Sequence, residues 1–185
     1  MRRLKLQMQI SIDGFVAADK GGTNFNWDDE VRNFAIANTE NVDCIILGRN
    51  TAKDFIPHWA SVAANPSDAD FAFGKILTET PKNVFSRTLE NSEWPNTTLS
   101  KGEIIGEISQ LKQQKGKDIM VYGGASFASS LIKHRLIDEY HLLVNPVAIG
   151  SGLPIFESLG DDLLLALRKC RQFSCGTVLL FYKPK

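Results

Sequence analysis

Apolar and polar residues alternate from Leu4 to Ile12, with Leu4, Leu6, Met8, Ile10 and Ile12 on one side and Lys5, Gln7, Gln9 and Ser11 on the other. That period of two predicts a strand. Asp13-Gly14 bends the chain, Phe15 to Ala18 continues it, and residues 19–26 form a loop rich in Gly and Asn. Asp28-Asp29-Glu30 opens a helix, because acids favour the first turn, and Val31, Phe34, Ala35 and Asn38 follow at helical spacing. Val42 to Leu47 predicts a buried strand, and Asn50 to Ile56 a short helix that Pro57-His58-Trp59 interrupts. Residues 61–82 read as irregular, with a short helical stretch around 69–77. Lys82 to Ser86 is a strand and Thr97 to Leu99 a minor one. Glu103 to Gln114 is an amphipathic helix that places Ile104, Ile105, Ile108 and Leu111 on one face, with Gly116 as its stop. A second buried strand, Asp118 to Tyr122, leads into a helix from Ala125 to His134. Glu139 to Asn145, Leu163 to Phe173 and Thr177 to Tyr182 are the last strands, the final two joined at Ser174-Cys175-Gly176. A βαβ front half followed by an antiparallel C-terminal hairpin predicts one α/β domain over residues 1–185 with a mixed sheet.

Two junctions in this pattern carry chemistry. Cys44-Ile45-Ile46-Leu47 ends in Gly48-Arg49-Asn50-Thr51, and Ile119-Met120-Val121-Tyr122 ends in Gly123-Gly124-Ala125-Ser126. In each, a buried strand reaches glycine and then a helix start, where bare amides and the helix dipole favour an anion. Two such units predict a dinucleotide at the carboxyl ends of neighbouring strands. Arg49 offers a planar donor fork to a phosphate, and Thr51 a hydroxyl that caps the helix or bonds that phosphate. Ser86-Arg87-Thr88, just past a third strand, supplies a 2′-phosphate site that favours NADPH over NADH, or is a solvated loop with a surface Arg. Trp27 and Trp59 are either aromatic walls of a pocket or plain core, and Gly150 and Gly152 either touch substrate or only shape a crossover.

Composition narrows the class. The 185 residues are 43% hydrophobic and 23% charged, which suits a folded domain. Twenty-one acids balance 21 bases, so no broad basic face for nucleic acid is expected. Cys44, Cys170 and Cys175 make an odd count without framework spacing, and with His58, His134 and His141 scattered, neither a disulfide framework nor a metal site is expected. With no leader or membrane span in the pattern, the expected location is the cytoplasm.

Five segments carry a family resemblance: Ser11 to Ala17, Ile46 to Thr51, Pro81 to Leu89, Val121 to Ala125 and Pro146 to Phe156. In this order they resemble the dihydrofolate-reductase-like superfamily, and more closely the C-terminal reductase domain of the bifunctional riboflavin-biosynthesis deaminase/reductase. The resemblance implies a three-layer fold and an NADPH-dependent reductase, in many cases homodimeric. It implies that Gly48, Arg49, Thr51, Ser86, Arg87, Gly123, Gly124, Ala125 and Ser126 bind cofactor, with Val16 and Ala17 near the nicotinamide. Ile12, Asp13, Trp27, Phe55 and the loop holding Gly150, Gly152 and Pro154 are expected to line the substrate pocket, with Asp13 as first choice for proton donor, ahead of Asp28 to Glu30 and beside water. The chain departs from true dihydrofolate reductases: Val31, Arg32 and Asn33 stand where those enzymes carry a carboxylate on the first helix. The alternatives are therefore a non-catalytic NADPH-binding sensor or, less well supported, a dihydrofolate reductase.

Overall fold

A computed structural model describes residues 1–18 and 25–185. Eight strands form one sheet in the order β5-β4-β3-β6-β1-β7-β10-β9. They are β1 (Leu4–Ser11), β3 (Val42–Gly48), β4 (Lys82–Phe85), β5 (Thr97–Ser100), β6 (Asp118–Val121), β7 (Glu139–Asn145), β9 (Leu165–Gln172) and β10 (Val178–Pro184). The first six strands in that spatial order pair in parallel; β10 runs antiparallel to both β7 and β9. The mixed sheet with its antiparallel C-terminal hairpin is thus the architecture expected from the hydrophobic pattern.

Helices cover both faces, giving three layers. Ile108 and Leu111 of α4 (Ile104–Gln113) and Ala128, Leu131 and Ile132 of α5 (Ala125–Lys133) pack with Leu4, Leu6 and Ile119 on one side. On the other side, Ala35 of α1 (Asp29–Thr39), Ala52 and Ile56 of α2 (Arg49–Ala63) and Phe73 and Leu77 of α3 (Phe71–Glu79) pack with Ile45, Leu47 and Val84. Burying helices on both faces is what a parallel sheet requires.

Three local outcomes differ from the sequence expectations. β1 is buried on both faces, so its polar residues find partners: Lys5 pairs with Asp118 at 3.1 Å, and the Gln7 carbonyl accepts from Asn38. A central position overrides the solvent face that alternation implies. Helix α2 does not stop at Pro57 but continues to Ala63, because Ile56 and Val62 are buried and that packing outweighs the missing amide. Finally, β8 (Gly152–Pro154) pairs with β2 (Phe15–Ala18) in a separate two-stranded ribbon. A Cβ on Gly152 would sit 2.1 Å from the Ala17 carbonyl oxygen, so only glycine fits this crossing. Part of the expected 19–26 loop, residues 19–24, lies outside the described residues.

Candidate active site at the carboxyl edge of the sheet

The carboxyl end of β3 meets the end of β6 through one hydrogen bond, Gly48 N–H to the Gly123 carbonyl at 3.1 Å. Gly48 and Gly124 are the N-caps of α2 and α5, and neither helix has a side-chain cap. Helices α3 and α4 also lack a side-chain cap, and only α1 has one, the Asp28 carboxylate accepting from Val31 N–H; what sets α2 and α5 apart is that their starts meet. Two helix starts with unclaimed amides therefore stand side by side, an arrangement that attracts an anion. Glycine is required for the approach: a Cβ on Gly48 would lie 2.9 Å from Phe127 Cβ, and one on Gly124 would lie 2.4 Å from Thr51 Oγ1. Gly123 has φ of 129°, in the range glycine alone adopts readily.

These residues line a cleft of about 600 Å³. Gly48, Arg49, Thr51, Gly124, Ala125 and Ser126 border it on one side, and Ser86 and Arg87 border it at the end of β4. The Arg49 Nη1 donates to Thr88 Oγ1, while its Nε is buried without a partner. A buried donor left unmade is costly, so Arg49 is poised to meet an acceptor. Ser86 Oγ accepts from the Thr88 and Leu89 amides and holds the turn that carries Arg87; the exposed Arg87 guanidinium donates to Glu103 at 2.8 Å. Phe127 leans on Phe85 at a tilt of 39°, with centroids 4.9 Å apart, and the two form an apolar wall of the cleft. Sequence reasoning missed both rings; the signal was Phe127 at the third position after Gly124.

A second cavity of about 230 Å³ adjoins it, lined by Val16, Phe25, Trp27, Phe55, Trp59, Phe73 and Tyr122 together with Gln7, Met8, Gln9 and Leu143. Its rings fix one another. Phe55 stacks on Tyr122 at 5.7 Å, Trp59 meets Phe73 edge-on at 5.0 Å, and Trp27 leans on Phe73 at 5.6 Å. The Trp27 indole N–H donates to Asp70 at 2.8 Å, which anchors that wall. A third hollow along α2 connects the two, sharing Asn50 and Thr51 with the cleft and Phe55 and Trp59 with the aromatic cavity, and adding Asp54 and His58.

The structure brings Val16, Trp27 and Phe55 together but leaves other expected site residues outside both cavities. Asp13 is exposed and staples two loops: it accepts from Ser11 Oγ and from the Ile149 and Gly150 amides. The Ser11 hydroxyl and then the Gly150 amide hold its carboxyl down at about 2, so it is ionised at neutral pH and has no proton to give. Ile12 is 64% exposed and its amide bonds the Val147 carbonyl. Gly150, Gly152 and Pro154 shape the crossover; from that loop Leu153 reaches the cleft. Asp28 caps α1, Asp29 pairs with Arg32, and Glu30 accepts from the Ser174 amide and faces Arg171. The capping bond lowers the pKa of Asp28, and the Ser174 bonds lower that of Glu30. Among the described residues there is no cluster of three metal-ligating side chains, and no helix is long and apolar enough to cross a membrane.

The model of the RibD C-terminal domain family matches residues 2–179. The uncharacterized protein YyaP of Bacillus subtilis (strain 168) is 30% identical over 183 residues, which is 98% of this chain and 94% of that protein. The riboflavin biosynthesis protein RibD of Corynebacterium ammoniagenes is 25% identical over 181 residues, covering 92% of this chain and 51% of that protein. In fold, the chain superposes on the Thermotoga maritima diaminohydroxyphosphoribosylaminopyrimidine deaminase/5-amino-6-(5-phosphoribosylamino)uracil reductase with a TM-score of 0.72 at 16% identity, covering all of this chain and 57% of that one.

Proposed function

The chain belongs to the RibD C-terminal domain family, and on that premise we propose that it is an NADPH-dependent reductase of a small heterocyclic substrate, with residues 1–185 acting as one domain. The observation that carries this reading is the junction of two uncapped helix starts beside the unpartnered Arg49 Nε. A pyrophosphate supplies the acceptors those donors lack. In this reading Gly48, Thr51, Gly123, Gly124, Ala125 and Ser126 hold the pyrophosphate with Arg49. Ser86 and Arg87 take the 2′-phosphate, and Val16 and Ala17 border the nicotinamide end.

When bound, NADPH supplies a hydride, so a C=N or C=O bond of the substrate gains that hydride on carbon and one proton on the heteroatom, leaving NADP⁺. The chain's own contribution is to hold the two rings in register. Asp13, Asp28, Asp29 and Glu30 are each held by structural partners, so we assign the proton to solvent water entering by the hollow along α2. The same observation favours a second reading, a cofactor-binding sensor without turnover. Folate reduction is not favoured, because no carboxylate lines the aromatic cavity among the described residues.

Titration with NADPH and NADH, followed by nicotinamide fluorescence, tests the proposal, with turnover then sought on ring substrates. Arg87→Ala is expected to raise the apparent KM for NADPH about tenfold while leaving that for NADH nearly unchanged, as loss of one charged hydrogen bond would. An equal effect on both cofactors removes the 2′-phosphate assignment. NADPH binding without turnover favours the sensor, and no binding of either cofactor rejects both readings.

A further inference from the structure

The aromatic cavity has a donor pattern of its own. The carbonyl oxygen of Gln7 is taken by Asn38 Nδ2 at 2.7 Å, and that of Gln9 by Asn145 Nδ2 at 3.0 Å. These bonds fix both glutamines and leave their –NH₂ groups without a partner among the described residues. Tyr122 adds a hydroxyl that is buried and unpartnered. Burial pushes its pKa far up, so it stays protonated and can donate. A lone buried hydroxyl is costly in a folded protein, so a polar group at this place calls for an acceptor.

The rest of the wall is apolar. Five further aromatic residues contribute to it, and no Lys, Arg, Asp or Glu does so among the described residues. The carboxylate that touches this wall is already claimed: Asp70 accepts from the Trp27 indole N–H and pairs with Arg32, while Asp54 stands in the neighbouring hollow. At about 230 Å³ the space falls below the range of roughly 300–1,000 Å³ typical of ligand pockets. It suits one flat ring system without a long appendage.

Building on the reductase reading, we propose that this cavity selects a flat, uncharged ring bearing carbonyl acceptors and no phosphate, with Tyr122, Gln7 and Gln9 as the specificity-determining donors. The ring lies between Trp27, Phe55 and Trp59, and its carbonyl oxygens accept from the three donors. A phosphate is disfavoured, because it loses its hydration without gaining a cation from the described residues that line the cavity. The substrate so defined differs from the phosphoribosyl compound in the name of the Thermotoga maritima reductase.

Two probes share a ring dione and differ in charge: lumazine, kept neutral at mildly acidic pH, and uridine 5′-monophosphate. Calorimetric titration of the full chain, with and without saturating NADPH, is expected to show lumazine binding at least about tenfold tighter. Tyr122→Phe removes only an oxygen that bonds nothing in the protein, so the variant should melt no lower than the parent. It should nonetheless lose about fivefold in lumazine affinity. Uridine 5′-monophosphate binding as tightly as lumazine, no binding of lumazine, or a Tyr122→Phe variant with undiminished affinity each overturns the proposal. NADPH fluorescence in the same samples separates the two failures. Cofactor binding with a failed lumazine result rejects the substrate class alone, whereas failure to bind NADPH rejects the reductase reading.

Discussion

Single side chains at the amino ends of the strands show how the fold tolerates charge inside. Asp118 and Glu139 are each about 4% exposed, yet both are held at about 2. Burial pushes each carboxyl up, and hydrogen bonds more than offset it: from Arg3 and Lys5 to Asp118, and from His141 and Lys183 to Glu139. Their folded pKa values lie below ordinary carboxylate values, so their stabilising effect is complete above about pH 5 and is lost progressively as pH falls toward 2. Urea unfolding at pH 7, 4 and 2 should show that loss. Asp118→Asn should remove roughly 3 kcal/mol at pH 7, because it strands the Lys5 ammonium, whose side chain is only 9% exposed, and leaves Arg3 without one of its two carboxylates. A variant as stable as the parent would mean that the cluster is solvated in solution.

At the scale of elements, the close approach of the α2 and α5 starts at the carboxyl edge of the sheet decides whether the cleft exists. Gly124→Ala places a methyl on Thr51 Oγ1 and should cost about 1–3 kcal/mol by overpacking. Adding Thr51→Ala should recover most of that stability while leaving cofactor binding impaired; a strictly additive double mutant, read by denaturant titration, would place the clash elsewhere. These junctions were legible in the sequence because a glycine at a strand-to-helix turn has a local cause. The strands were legible for the same reason. What escaped depended on distant partners. The continuation of α2 through Pro57 rests on core packing, and the β2–β8 ribbon on two segments more than 130 residues apart. Asp13 looked available for chemistry because the amides of Ile149 and Gly150 that bind it are equally far along the chain. Gln7 and Gln9 read only as the polar positions of an alternating strand; central placement in the sheet turned them into pocket walls.

For the whole molecule, the resemblance implies a homodimer, and the sheet ends in a surface suited to one. Strand β9 is an edge, largely exposed along its length, with Leu164 at 62% and Leu167 at 52% exposure beside it. Sedimentation equilibrium should report twice the chain mass of 20.5 kDa, and Leu164→Glu/Leu167→Glu should shift the protein toward monomer. A parent that sediments as a monomer overturns that expectation. The molecule also divides its two cavities by material. The cleft relies on main-chain amides and on glycines admitted by close packing, whereas the aromatic cavity is made of side chains from β1, β2, the segment before α1, α2, α3, β7 and the end of β6. Amides are present whatever the neighbouring residue type, so substitutions at Gln9, Phe55 or Tyr122 can accumulate without touching the helix starts. A lineage built this way can drift from one substrate to another through functional intermediates, which lets descendants of a common ancestor diverge in metabolism while inheriting the same means of drawing reducing power.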